Sequence, residues 1–219
     1  MSKRLVAIII ALVLVIGGIV MSTVGVFLDN SWKNTVTGSD GISESVQSGS
    51  DSSSKIVKLS VDGTIQDTGT EESLFSGSGY NHQSFLKKLD KIKKDNSVKG
   101  VLLEVNSPGG GTYESDEIHK KLEEIKAKNK KVYVQMKNMA ASGGYYISTP
   151  ADKIYAGSQT LTGSLGVIIS SINYAELADN LGVKDQSVVS GKHKQILNPM
   201  KDMSKEEKDI MQSIIDDSY

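Results

Sequence analysis

The chain contains no cysteine. That absence excludes a disulfide framework, a thiolate zinc site, an iron–sulfur cluster and a cysteine nucleophile. It says little about compartment, because a core of this size needs no staple. Histidine is scarce: His82, His119 and His193 are all there are, which argues against a multi-histidine metal site. An excess of either charge is missing too, with 25 Lys and Arg against 26 Asp and Glu, a formal charge of −1. A nucleic-acid binder needs a net basic face to displace counterions from phosphates, so the balance argues against that class. What is present, 38% hydrophobic and 23% charged residues, is globular composition, neither collagen-like nor wholly disordered.

Lys3 and Arg4 are followed by LVAIIIALVLVIGGIVMSTVGVFL, residues 5–28, with no charge until Asp29. A helix rises 1.5 Å per residue, so about 20 apolar residues cross a hydrocarbon core of roughly 30 Å. A cleaved secretory signal has a shorter apolar core and a small-x-small exit, whereas this run leaves through Ile19-Val20-Met21-Ser22-Thr23. The run is read as an uncleaved, single-pass anchor in the cell membrane. Residues 1–4 then form a cytoplasmic tip, and the rest of the chain lies outside the cytoplasm. Residues 29–54, rich in Ser, Gly and acids, have too little apolar surface to offset ordering and read as a flexible linker. Residues 55–219 are expected to form one domain.

That domain alternates strand and helix patterns. Residues 56–63 alternate apolar and polar positions before a glycine and predict a strand. Phe85, Leu86, Leu89 and Ile92 lie on one stripe of a helix over 82–95. Residues 100–105, a short and mostly apolar run, read as a buried parallel strand. Ile118, Leu122 and Ile125 mark a second helix, and 131–136 a further strand. Strands are expected at 153–156, 165–169 and 185–189, and a short helix at 174–181. Ser204 with Glu207 forms a capping box for a last helix reaching about Asp217. Repeated β-α-β order predicts an α/β domain with right-handed crossovers. The lysine-rich stretch 87–94 is read as a solvated helix face.

Three loops carry chemical signal. NSPGGG, residues 106–111, follows a strand; Pro108 fixes one φ angle, and the glycines permit angles that other residues avoid. Such a loop can present bare N–H groups to a substrate oxygen, or be an ordinary turn. No Gly-Lys-Ser/Thr follows, so it is not a Walker phosphate cradle. In MAASGGYYIS, residues 139–148, small residues surround Ser142 at the expected start of a helix. Ser142 is either a nucleophile beside a backbone oxyanion donor or a plain helix N-cap. The motif is not a Gly-x-Ser-x-Gly elbow, since Ala140 stands at the first glycine. SGKHKQILNP, residues 190–199, gathers Lys192, His193 and Lys194. A serine nucleophile needs a base, which His193 or a lysine desolvated towards neutrality could supply. His82 and His119 fall on amphipathic helices, where surface positions are the simpler reading.

NSPGGG, AASGGYYIS, TGSLGVI (residues 162–168) and SGKHK, in this order, resemble the signal peptide peptidase A family, in its short single-repeat form from Gram-positive bacteria. The resemblance covers residues 55–219 and implies a Clp protease/crotonase-like α/β fold with a Ser–Lys dyad. It implies Ser142 as nucleophile and Lys194 as general base, with His193 standing where the family often has Tyr. Ser164 matches a serine that hydrogen-bonds the catalytic lysine, and Gly109 and Gly143 match the oxyanion donors. It further implies an acyl-enzyme route with no metal or cofactor, signal-peptide remnants in the membrane as substrates, and an octameric ring. The family continues beyond the last predicted helix, so the domain is expected to be C-terminally incomplete. Two other classes stay open: a crotonase-type acyl-CoA enzyme, and a membrane-bound scaffold of the same fold without activity.

Overall fold

The computed structural model describes residues 35–37, 42–49, 53–69 and 80–219. The run 5–28, expected to anchor the chain, lies outside the described residues, as does most of the loop between 67 and 80. Among the described residues no helix is long and apolar enough to cross a membrane. The chain divides into two units at Ser52 and Ser53. In the first, β1 (Thr35–Thr37) pairs antiparallel with β2 (Ser43–Ser45), with Val36 opposite Glu44. This short ladder lies within the segment expected to be a linker. Thr and Val favour extended backbone.

The second unit is built on a parallel sheet. β3 (Lys55–Asp62), β4 (Val98–Ser107), β5 (Lys131–Ala141) and β6 (Lys153–Ala156) lie side by side in chain order. β7 (Leu161–Gly163) adds to the far end of β5, so β5 pairs with β6 through residues 133–136 and with β7 through 139–141. Helices α1 (His82–Lys94) and α2 (Thr112–Lys126) are the crossovers on either side of β4. The short α3 (Gly143–Tyr146) follows β5, and α4 (Ala175–Asn180) and α5 (Lys205–Ser218) complete the chain.

Strand order explains the core. Neighbouring strands taken in sequence with right-handed crossovers place both helices on one face. Val61, Val101, Leu103, Val105, Val132, Val134 and Met136 form that face and pack on Phe85, Leu89, Ile92, Ile118, Leu122 and Ile125. β4 is buried on this face through Val101, Leu103 and Val105. The other face carries polar side chains, with Ser60, Lys58 and Lys137 gathered around Glu104. Lys130 is buried, and its Nζ donates to Ile92 O at 2.5 Å and Asp95 O at 2.6 Å, satisfying carbonyls where α1 ends.

Three expectations are corrected. His82 is buried rather than on the surface, held by Tyr80 Oη at 2.5 Å and Glu117 Oε2 at 2.9 Å. Position 82 lies one turn before Phe85, so it continues the apolar stripe inward. Residues 165–169 and 185–189 are not strands. An apolar run becomes a strand only where a neighbour supplies ladder bonds, and here Ile168 is 83% and Val188 99% exposed. β5 runs five residues past its expected end, to Ala141, which delivers Ser142 at the rim of the sheet.

Candidate active site

The carboxyl ends of β3, β4 and β5 meet at one edge, where ligands bind in open α/β sheets. Pairing there is irregular: Val105 faces Met136, but Ser107 faces Ala140, so three residues of β5 oppose Asn106. Asn106 fills the gap. Its Oδ1 accepts Met139 N–H and its Nδ2 donates to Asp62 Oδ1, both at 3.3 Å. The first residue of NSPGGG therefore ties three strand ends together.

The glycines are held from the other side by Ile65. Ile65 N–H donates to Gly109 O, and Ile65 O accepts Gly111 N–H, each at 2.9 Å. A Cβ on Gly110 would lie 1.9 Å from Ile65 O, so only glycine fits. Gly109 has φ +99°, and a Cβ there would lie 2.6 Å from Gly143 N and 2.8 Å from Ser142 Cβ. The first loop thus presses directly on the second. Within its turn Gly109 N–H donates to Ser107 Oγ at 3.1 Å. Gly110 and Gly143 N–H have no hydrogen-bond partner among the described residues.

Ser142 stands between β5 and α3 with φ 52° and ψ −123°. A non-glycine residue in such a region costs about 1–3 kcal/mol and persists only where its surroundings impose it. Its own N–H donates to Gly163 O at 2.8 Å, which locks the turn to β7. It occupies the N-cap position of α3, but its side chain makes no capping bond. The plain N-cap reading therefore fails: the hydroxyl is half-buried, free, and beside the unpaired N–H of Gly143. α3 is stapled to α2 by stacked His119 and Tyr146 rings, 4.4 Å apart, and by Tyr146 Oη donating to Asp116 at 3.2 Å.

The structure brings Ser142, Gly109 and Gly143 together. Ser164, φ 54°, directly follows the Gly163 that holds Ser142. It is exposed and makes no bond to Lys194. Lys194 is also exposed, and neither Ser142 nor Ser164 hydrogen-bonds its amine. Its loop is anchored elsewhere: Glu206 of α5 accepts from Lys192 and from His193 Nε2, the latter at 3.0 Å. Those two bonds hold Glu206 below the usual carboxylate range, Lys192 more strongly. Sequence reasoning missed Asn106, Ile65 and Ser107; only the position of Asn106 at a strand end hinted at a cap.

Residues 124–219 match the profile of peptidase family S49. A protein of Enterococcus faecium named "Putative signal peptide peptidase SppA" is 45% identical over 182 residues, 83% of this chain and 53% of that one. "Putative protease MJ0651" of Methanocaldococcus jannaschii is 38% identical over 73 residues, 33% of this chain and 24% of that one. The chain thus spans about half the length of the first relative and about a quarter of the second. A solved membrane-bound stomatin-specific protease aligns with a TM-score of 0.42 at 16% identity, covering 65% of this chain and 57% of its own.

Proposed function

We propose that the chain, whose residues 124–219 match peptidase family S49, is the catalytic part of a membrane-anchored serine endopeptidase with Ser142 as nucleophile. One observation carries the reading: Ser142 is held in a strained turn with an uncapped hydroxyl against the Gly109 turn and the free N–H of Gly143. Attack by Ser142 Oγ on a peptide carbonyl forms a tetrahedral intermediate, and collapse releases the amine and leaves an acyl-enzyme. Water then releases the acyl group and restores the serine. Gly109 N–H is taken by Ser107 Oγ, so the free N–H groups of Gly143 and of Gly110 in the Gly109 turn bear the oxyanion; removing one such donor costs about 2.7–4 kcal/mol of transition-state stabilisation.

Lys194 is the proposed base, and Ser164 the group that orients it. An amine takes a proton at neutral pH only when desolvation lowers its pKa. In the single chain Lys194 is exposed, so the reading requires assembly to bury it. Homo-oligomers with sites completed between neighbours, a ring in the short form of this family, meet that requirement. Exposed Leu165, Ile168 and Ile172, downstream of Ser164, supply apolar surface for such contacts. The substrates are proposed to be signal-peptide remnants in the membrane. Residues 5–28 would tether the enzyme beside that pool and raise its effective concentration. The test is peptide cleavage by the full-length protein in detergent, followed by mass spectrometry. Ser142→Ala and Lys194→Ala should each abolish products while the fold survives; cleavage at the wild-type rate by either variant overturns the dyad.

A further inference from the structure

Ser115 is the fourth residue of α2, one turn beyond the glycines of the first loop. It is 2% exposed, and its Oγ has no hydrogen-bond partner. An unpaired buried hydroxyl costs about 1–3 kcal/mol, and alanine would pack there without that cost. Its position is specific. A Cβ built on Gly143 would lie 2.3 Å from Ser115 Oγ and 3.3 Å from Gly110 N. The hydroxyl therefore borders Gly143, with Gly110 N close to the same spot. Ser115 backbone N–H bonds Gly111 O at 3.1 Å, which ties the start of α2 to the loop that presses on Ser142.

We propose that Ser115 is a positioning residue for the oxyanion donors. Its hydroxyl makes its missing hydrogen bond only as the oxyanion develops, bracing the Ser142–Gly143 turn so that Gly143 N–H meets that charge. Glycine at 143 is then needed for room: any side chain there would occupy the place of the hydroxyl. This role rests on Ser142 being the nucleophile.

The test uses full-length protein in detergent with two readouts: kcat and KM on a peptide substrate, and the rate of labelling by a fluorophosphonate, whose phosphoryl oxygen takes the oxyanion position. Ser115→Ala should lower kcat and the labelling rate by about five- to tenfold, the effect of one hydrogen bond made only in the transition state. KM should stay within about twofold, since ground-state binding is untouched. Ser115→Cys, which restores a weak donor, should fall between the two. Ser115→Ala at wild-type kcat and labelling rate overturns the proposal, whatever its thermal stability. If the alanine variant does not fold, wild-type rates in Ser115→Cys overturn it equally. Ser142→Ala separates the two readings. Labelling that survives in Ser142→Ala refutes the nucleophile and Ser115 with it. Labelling lost there but unchanged in Ser115→Ala refutes Ser115 alone.

Discussion

Ser142 holds a backbone angle that L-residues avoid, and its neighbours show what enforces it. Gly163 O takes its N–H, Gly109 packs on its Cβ, and α3 starts at once behind it. Gly109 is the most sensitive of these contacts. A methyl group there meets backbone at 2.6 Å and demands φ +99°. Gly109→Ala should lower kcat by at least about 100-fold, the scale of a lost oxyanion donor, with the far-ultraviolet circular dichroism of a folded protein. A folded variant within about threefold of wild type would show that the turn does not shape the site. The sequence marked the two loops as candidates, because a proline–glycine turn after a strand and a serine among small residues can each serve chemistry, and the structure places them against each other. The bracing by Asn106 and Ile65 was not. It depends on a register shift between β4 and β5 that no residue pattern announces.

At the scale of elements, the helix expectations hold where an apolar stripe is long, and strand expectations fail where a partner decides the outcome. α1 matches its expected range to one residue, and α2 buries the Ile118, Leu122 and Ile125 stripe. Leu122 is fully buried among those stripes, so Leu122→Ala should destabilise the domain by about 2–5 kcal/mol in urea unfolding. A change below about 1 kcal/mol would mean that the two helices do not share one core. The segments 165–169 and 185–189 have strand composition but no neighbouring strand, and composition cannot supply one. α5 begins with the capping box that its sequence announces: Ser204 and Glu207 bond reciprocally, and Lys201 adds a third contact to the Glu207 carboxylate. The Ser204 N–H foremost, then Lys201, holds Glu207 down to about 2 from its ordinary 4.5. A carboxylate lowered in the folded state stabilises fully above its unfolded value and loses that contribution as pH falls towards its folded one. Glu207→Gln should therefore melt below wild type at pH 6, and the gap should close as pH falls from about 4.5 to about 2. A gap that persists unchanged at pH 2 would place the effect in packing instead.

For the whole molecule, the proposed chemistry turns on what surrounds the base. The sheet edge presents the Ser142 hydroxyl and free backbone N–H groups, while Lys194 sits in solvent on a loop tied to α5. The apolar residues after β7, with Ile168 at 83% exposure, have no cover of their own. Full-length protein in detergent should therefore sediment as an assembly several protomers in size, and aspartate in place of Ile168 should shift it towards monomer with loss of peptidase activity. A species that is monomeric and fully active would reject assembly as the source of the dry site. The most direct measurement is the pH dependence of covalent trapping. A fluorophosphonate is reacted with full-length protein across pH 5 to 10, and the modified residue is located by peptide mass spectrometry. The label should fall on Ser142, at a rate that rises with pH and collapses in Lys194→Ala. Label at another residue, or a Lys194→Ala profile identical to wild type, would contradict the account.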